Sequence, residues 1–250
     1  MLISMRILFI VIIMVVFVPV IHGQSVDEIV EHIYQEALIQ EAILDSLEDY
    51  SYVQKVHFTK LDGDDEIEEK SRREFLVRVH AHDIYHRELI SAYELENEHW
   101  VDITEEEKNK SQDENKSVKF SLTEMVSPEM RMHYQFTLIG DEYVEDIITI
   151  HVKAVPLEED ENRFQGDLWF EQDSFDLVKA ILIPSELPPA VKNMVMGFSM
   201  SKFGNIWLPV KINFTAEISF LFIFKGKIIS DIIFEDYLFN QTFPDSLFGN

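Results

Sequence analysis

Gly166-Asp167-Leu168-Trp169-Phe170-Glu171-Gln172-Asp173-Ser174-Phe175-Asp176-Leu177-Val178-Lys179-Ala180 is the stretch on which the fold turns. A strand-like run enters an acidic turn, and a second apolar run returns from it, as paired antiparallel strands do. A third segment, Gly204-Asn205-Ile206-Trp207-Leu208-Pro209, brings a glycine, a tryptophan and a proline close together. No catalytic motif lies in either segment. The stretch reads as the middle of a broad antiparallel sheet.

Strand patterns continue on both sides of it. Met194, Met196, Phe198 and Met200 share one face of an expected strand. Ile206, Leu208, Val210, Ile212, Phe214, Ala216, Ile218 and Phe220 alternate with polar residues such as Lys211, Asn213, Thr215 and Glu217. Lys225-Gly226 is expected to turn a hairpin into a last strand, Lys227 to Tyr237. Upstream, Tyr134, Phe136 and Leu138 alternate, as do Ile148, Ile150, Val152 and Ala154, with a turn expected at Gly140-Asp141. Tyr52 to Phe58 and Phe75 to His80 flank an Asp-Gly turn at Leu61 to Asp65. Ile90 to Leu95 and His99 to Ile103 are weaker strand candidates.

Helical signals are few. Ser25 followed by Glu28 is a capping box, and Val26, Ile29, Ile33 and Ala37 recur at helical spacing. One amphipathic helix is expected from about Val26 to Leu47. Ser121-Leu122-Thr123-Glu124 is a second capping box, before a short helix limited by Pro128. Glu105 to Lys116 carries no apolar residue and reads as a flexible surface loop. Many strands joined by short turns, one long helix and no βαβ rhythm define an α+β chain built on a large antiparallel meander.

The composition bounds the function. Among 250 residues, 46% are hydrophobic and 27% charged, enough for a substantial core. There is no cysteine, hence no disulfide, thiolate metal site or cysteine nucleophile. The formal charge of -25 argues against nucleic acid and anionic membrane surfaces as partners. At the N-terminus, Arg6 precedes an uncharged apolar run, Ile7 to Ile21, and then His22-Gly23-Gln24. This pattern predicts a secretory signal peptide, residues 1–23, cleaved after Gly23. An uncleaved anchor is the alternative. After cleavage no stable membrane insertion is expected, and residues 24–250 read as a single domain.

Little in the chain points to bond chemistry. There is no Gly-x-Ser-x-Gly, no phosphate-binding glycine loop and no dinucleotide fingerprint. His80, His82 and His86 form a metal-like cluster, but their spacing fits no hydrolase signature, and a polar strand end explains them better. Asp167, Glu171, Asp173 and Asp176 flank a turn, and a solvated turn accounts for them. No enzyme activity, metal or cofactor is expected.

The apolar stripes carry more. A helix of some twenty residues spans about 30 Å and cannot cover a sheet of many strands. Part of the apolar face must close on itself, lie under loops, or remain for a ligand. Thioether side chains suit a wall that adapts to a flexible apolar molecule. Met194, Met196, Phe198, Met200, Ile206, Leu208, Val210, Ile212, Phe214 and Ile218 are the candidates for core or cavity wall.

Gly166 to Pro209 resembles the LolA-like family of periplasmic lipoprotein carriers and outer-membrane lipoprotein-sorting proteins. The matching elements are Gly166-Asp167-Leu168-Trp169-Phe170, the turn Gln172-Asp173-Ser174, Leu177-Val178-Lys179-Ala180, and Gly204-Asn205-Ile206-Trp207-Leu208-Pro209. The resemblance implies a curved, half-open antiparallel sheet with an N-terminal helix and short lid helices on its concave face. It also implies a periplasmic carrier binding a lipid or lipoprotein acyl chain in an apolar cavity. A non-transport envelope protein that docks or senses a partner on the same fold is the other function it allows.

Overall fold

The computed structural model describes residues 24–47, 49–80, 84–110, 122–160, 162–220 and 224–248. The expected signal peptide lies outside them.

Helix α1, Val26–Asp45, opens the described chain and carries the expected capping box: Ser25 Oγ accepts from the Glu28 amide, and Glu28 accepts from the Ser25 amide. Strands β1 (Asp49–Leu61), β2 (Ile67–His80), β3 (Ile84–Glu96) and β4 (His99–Asp102) follow as a meander. Two short helices, α2 (Thr104–Lys110) and α3 (Leu122–Val126), and a 3-10 turn at Arg131–His133 link it to a second meander. That one comprises β5 (Tyr134–Val144), β6 (Ile147–Pro156), β7 (Phe164–Glu171), β8 (Leu177–Pro184), β9 (Val191–Phe203), β10 (Ile206–Phe220) and β11 (Phe224–Phe239). A 3-10 turn at Asp245–Phe248 closes the described chain.

Among the described residues all strands join in one antiparallel sheet of eleven, ordered β4-β3-β2-β1-β11-β10-β9-β8-β7-β6-β5. Every neighbour is a sequence neighbour except β1 and β11, whose pairing from Tyr50↔Phe239 to Leu61↔Lys227 fuses the two meanders. Strands β4 and β5 are its two edges, so the sheet is curved but open. Among the described residues no helix is long and apolar enough to cross a membrane.

The core is divided. The larger cluster joins Ile29, Val30 and Ile33 of α1 and Met125 and Val126 of α3 to Ile150, Val152, Leu168, Phe170, Ala180 and Leu182 of β6 to β8. The smaller one is Tyr50, Phe75, Val77, Val79, Leu89 and Ala92, on β1 to β3. Helix α1 touches both β5 and β10, so it runs across the strands rather than along them. The opposite face is polar and laced with cross-strand ion pairs, Lys55–Glu235 at 2.8 Å and Lys211–Asp231 at 3.0 Å among them.

Three expectations from sequence need correction. Residues 104–110 are helical, not loop. Asp102 Oδ1 accepts from the Thr104 amide and hydroxyl, and Glu105, Glu106 and Glu107 fill a first turn whose dipole favours acids. Residues 111–121 of the expected loop and capping box lie outside the described residues. Gly140-Asp141 is not a turn: β5 runs through it with a register shift between Leu138 and Gly140, where Gly140 takes φ 141°. Lys225 and Gly226 are already inside β11, opposite Ser219 and Ile218, so they do not form the turn; residues 221–223 lie outside the described residues.

Candidate functional site

The register fixes which residues share the α1 face. Leu168 of β7 pairs with Ala180, Ala180 with Phe198, Phe198 with Ile212, Ile212 with Ile232, and Ile232 with Val56. One row above, Leu182 pairs with Met196, Met196 with Phe214, and Phe214 with Ser230. The row begins beneath α1, where Leu168, Ala180 and Leu182 are fully buried. It then leaves the helix. Met194, Met196, Phe198, Met200, Ile212, Phe214, Ile218, Ile228, Ile232 and Val56 are only half-buried. They form an apolar strip on β9, β10, β11 and β1, between the two core clusters.

Helices flank this strip without closing it. On one side α1 and α3 cover β5 to β8. On the other, α2 lies against β3, with Glu107 paired to Arg73 of β2 at 3.0 Å. The second half of α1 is less buried than the first: Leu38 and Ile39 are exposed, and Ile43 and Leu44 half-buried. Tyr50, Tyr52, Phe203, Tyr237 and Phe239 stack beside the strip, with ring centroids 4.9 to 6.5 Å apart. Tyr237 is fixed by donating to the Pro209 carbonyl at 2.7 Å. A separate open depression of about 480 Å³ lies at the α2 corner, lined by residues including Ile90, Tyr93, Asp102 and Thr104.

The candidate residues read from sequence divide in two. Met194, Met196 and Phe198 lie opposite Ala216, Phe214 and Ile212 on the strip. Ile206 and Leu208 do not continue that row, because a register shift between Pro209 and Lys211 leaves Val210 as an extra residue. Met200 therefore faces Pro209, while Leu208 and Ile206 face Ser201 and Phe203 and are buried. The aromatic cluster of β1 and β11 was not among the candidates. Its signal was the alternation of Tyr50 with Tyr52 and of Tyr237 with Phe239.

The motif stretch builds the seat of α1. Gly166 passes so close to β8 that an added Cβ would stand 2.0 Å from the Ile181 carbonyl oxygen, so no larger residue fits there. Gly204 turns β9 into β10 with φ 65°. Phe175, itself at φ 60°, stacks on His32 of α1 at 5.1 Å. One turn further along the helix Glu36 bears on Asp176, and one turn beyond that Gln40 accepts from the Trp207 amide. Trp169 points to the other face, stacked on His151 at 4.5 Å, with Lys179 over the same ring and its indole donating to Glu142.

Asp176 is an acid of the stretch in an unusual state. Burial pushes its carboxyl above the ordinary range; Glu36 adds to this, while Ser174, Lys202 and Trp207 oppose it. Ser174 Oγ lies 2.7 Å from both Glu171 Oε2 and Asp176 Oδ2. Glu171 is also paired with Lys202 at 3.4 Å. Asp176 Oδ1 and Trp207 Nε1 are buried without a well-formed hydrogen bond, although the indole is near enough to favour the ionised carboxyl.

Two members of the histidine cluster, His80 and His86, stand on the neighbouring strands β2 and β3. His80 Nδ1 lies 2.6 Å from Asp49 Oδ1, and the His80 and His86 rings both meet Phe248. His82 lies outside the described residues. Among the described residues no group of three His, Cys, Asp or Glu side chains is placed to hold a metal.

An open antiparallel sheet with helices across one face and an uncovered apolar strip defines the class. No family model and no curated protein matches the chain. Solved structures do. A putative outer membrane lipoprotein-sorting protein domain from Vibrio parahaemolyticus is 12% identical, with 88% of this chain and 97% of that one covered and a TM-score of 0.40. A LolA superfamily protein from Nitrosomonas europaea is 11% identical over 91% and 99%, with a TM-score of 0.33. The lipoprotein LppX from Mycobacterium tuberculosis is 10% identical over 88% and 99%, with a TM-score of 0.27. A likeness this loose says nothing of ligand or site.

Proposed function

We propose that this chain is an exported envelope carrier that holds a lipid or lipoprotein acyl chain and serves outer-membrane lipoprotein sorting in the periplasm. Residues 1–23 direct export and residues 24–250 form one binding domain. The observation that supports this reading is the uncovered strip through Phe198, Ile212, Ile232 and Val56, half-buried where a finished core would be sealed. Each methylene laid on it contributes about 0.8 kcal/mol, so one acyl chain supplies on the order of 10 kcal/mol before entropy losses. The mechanism is burial and release, with no bond made or broken. Methionines at 194, 196 and 200 let the surface adapt to chains of different shape.

The test is native mass spectrometry of protein purified from its own host, before and after delipidation. A bound lipid that delipidation removes is the expected result. No bound lipid in either sample, together with no uptake of an added fatty acid, would sink the carrier reading.

A further inference from the structure

The two edges of the sheet are built differently. β4 is four residues long, His99–Asp102, and α2 follows almost at once, so it offers little backbone to another strand. β5 presents eleven residues, Tyr134–Val144, with no proline, lysine or arginine among them. Just beyond β6, the Leu157 amide donates to the His133 carbonyl. By the alternation of an antiparallel ladder, Gln135 and Thr137 then exchange bonds with Val155 and Lys153 of β6. The amides and carbonyls of Phe136 and Leu138 therefore point away from the sheet. Among the described residues nothing hydrogen-bonds to them on that side. Their side chains are unfinished in the same way. Val152 and Ala154 of β6 are fully buried, while their β5 partners Leu138 and Phe136 are only half-buried in the same core cluster. Ile139, beside the bulge, and Tyr143 are exposed. One more strand laid against β5 would satisfy the free backbone groups and cover Phe136 and Leu138.

Charge selects the occupant. The far half of the edge carries Asp141 and Glu142, and the tip between β5 and β6 carries Glu145 and Asp146, all of them exposed. Glu142 is engaged by the Trp169 indole at 2.8 Å and by His151 at 3.3 Å. Asp141, Glu145 and Asp146 enter no ion pair among the described residues. A second copy of the chain brings a formal charge of -25 of its own, so general repulsion opposes edge-to-edge pairing with itself. A segment that is basic where it meets these acids is attracted instead.

We propose that β5 is a docking edge for an extended, basic segment of another protein, which joins the sheet as an added antiparallel strand. Apolar residues at its alternate positions pack beside Phe136 and Leu138. Lysines or arginines nearer its N-terminus meet Asp141, Glu145 and Asp146. The edge lies apart from the acyl strip of β9 to β1 and does not depend on it. The experiment measures binding of fluorescent synthetic peptides to the purified chain by anisotropy. The probe is a run of lysines followed by alternating valine and threonine. It is expected to bind saturably and to slow amide exchange at Phe136 and Leu138. Replacing its lysines by glutamates should weaken binding roughly tenfold or more. Asp141→Asn combined with Asp146→Asn should weaken the lysine peptide likewise. The same variant should bind a peptide with serines in place of lysines as wild type does, which also reports that it is folded. N-methylation of every second peptide amide should abolish binding in one phase and spare it in the other, because only one set of amides faces β5. Loss in both phases or in neither, or no protection of Phe136 and Leu138, overturns strand addition. Absence of binding by the lysine peptide, or equal binding of lysine and glutamate peptides, overturns the basic partner. Dimers of the chain alone that protect the same two amides would place a second copy at the edge and overturn the assignment as well.

Discussion

Single residues of the Gly166 to Pro209 stretch act on the helix above them. Burial opposes charge on Asp176 and raises its carboxyl above the ordinary range. A carboxyl raised in this way adds stability that is fully present below its unfolded value, about 3.9, and is lost as pH rises through the folded one. Asp176→Asn keeps the neutral state at every pH. Its melting temperature should exceed that of wild type at neutral pH and converge with it in acid; parallel curves across that range would contradict the assignment. Gly166→Ala must push a Cβ into the Ile181 carbonyl, and a loss of about 2 kcal/mol or more in urea denaturation is expected. The glycine, the tryptophans and the turn acids were visible in sequence as a pattern. Their partners were not. His32, Glu36 and Gln40 lie far away in the chain, and only the fold brings them over Phe175, Asp176 and Trp207. Nor did the pattern say that Trp169 and Trp207 serve opposite faces.

Elements whose signals are local could be read best. Helix α1 begins at its capping box and ends at Asp45, close to the span its periodicity indicates. Ser25→Ala should cost about 1 kcal/mol. Ile33→Ala should cost about 2–5 kcal/mol, since Ile33 is fully buried between α1 and the sheet. Both are measured by chemical denaturation. A negligible effect of Ile33→Ala would show that α1 is not packed as described. Where two signals competed, the sequence misled. The polar run at Glu105 lacks an apolar stripe, yet Asp102, Thr104 and three successive glutamates start a helix, and Glu107 ties it to Arg73. Gly140-Asp141 carries turn chemistry, yet the strand absorbs it as a shift in register. The bulge at Val210 was hidden inside an uninterrupted alternation, because one extra apolar residue there leaves the pattern looking regular.

At the scale of the molecule, the antiparallel meander followed from turn spacing, but the pairing of β1 with β11 did not. No local signal marks it, and it is what brings Val56 into line with Ile232 and carries the apolar strip onto β1. The expected shortage of helical cover was a count of areas, and the described helices do leave that strip open. The central claim is that this strip takes up an acyl chain, and saturable binding of a fluorescent fatty acid to delipidated protein tests it most directly. Wild type should bind it. Phe198→Glu and Ile212→Glu, each adding a charge to the strip, should weaken binding by roughly tenfold or more. Lys211→Gln, on the opposite face, should bind as wild type does. Absence of binding, or equal binding by all of these proteins, would contradict the account.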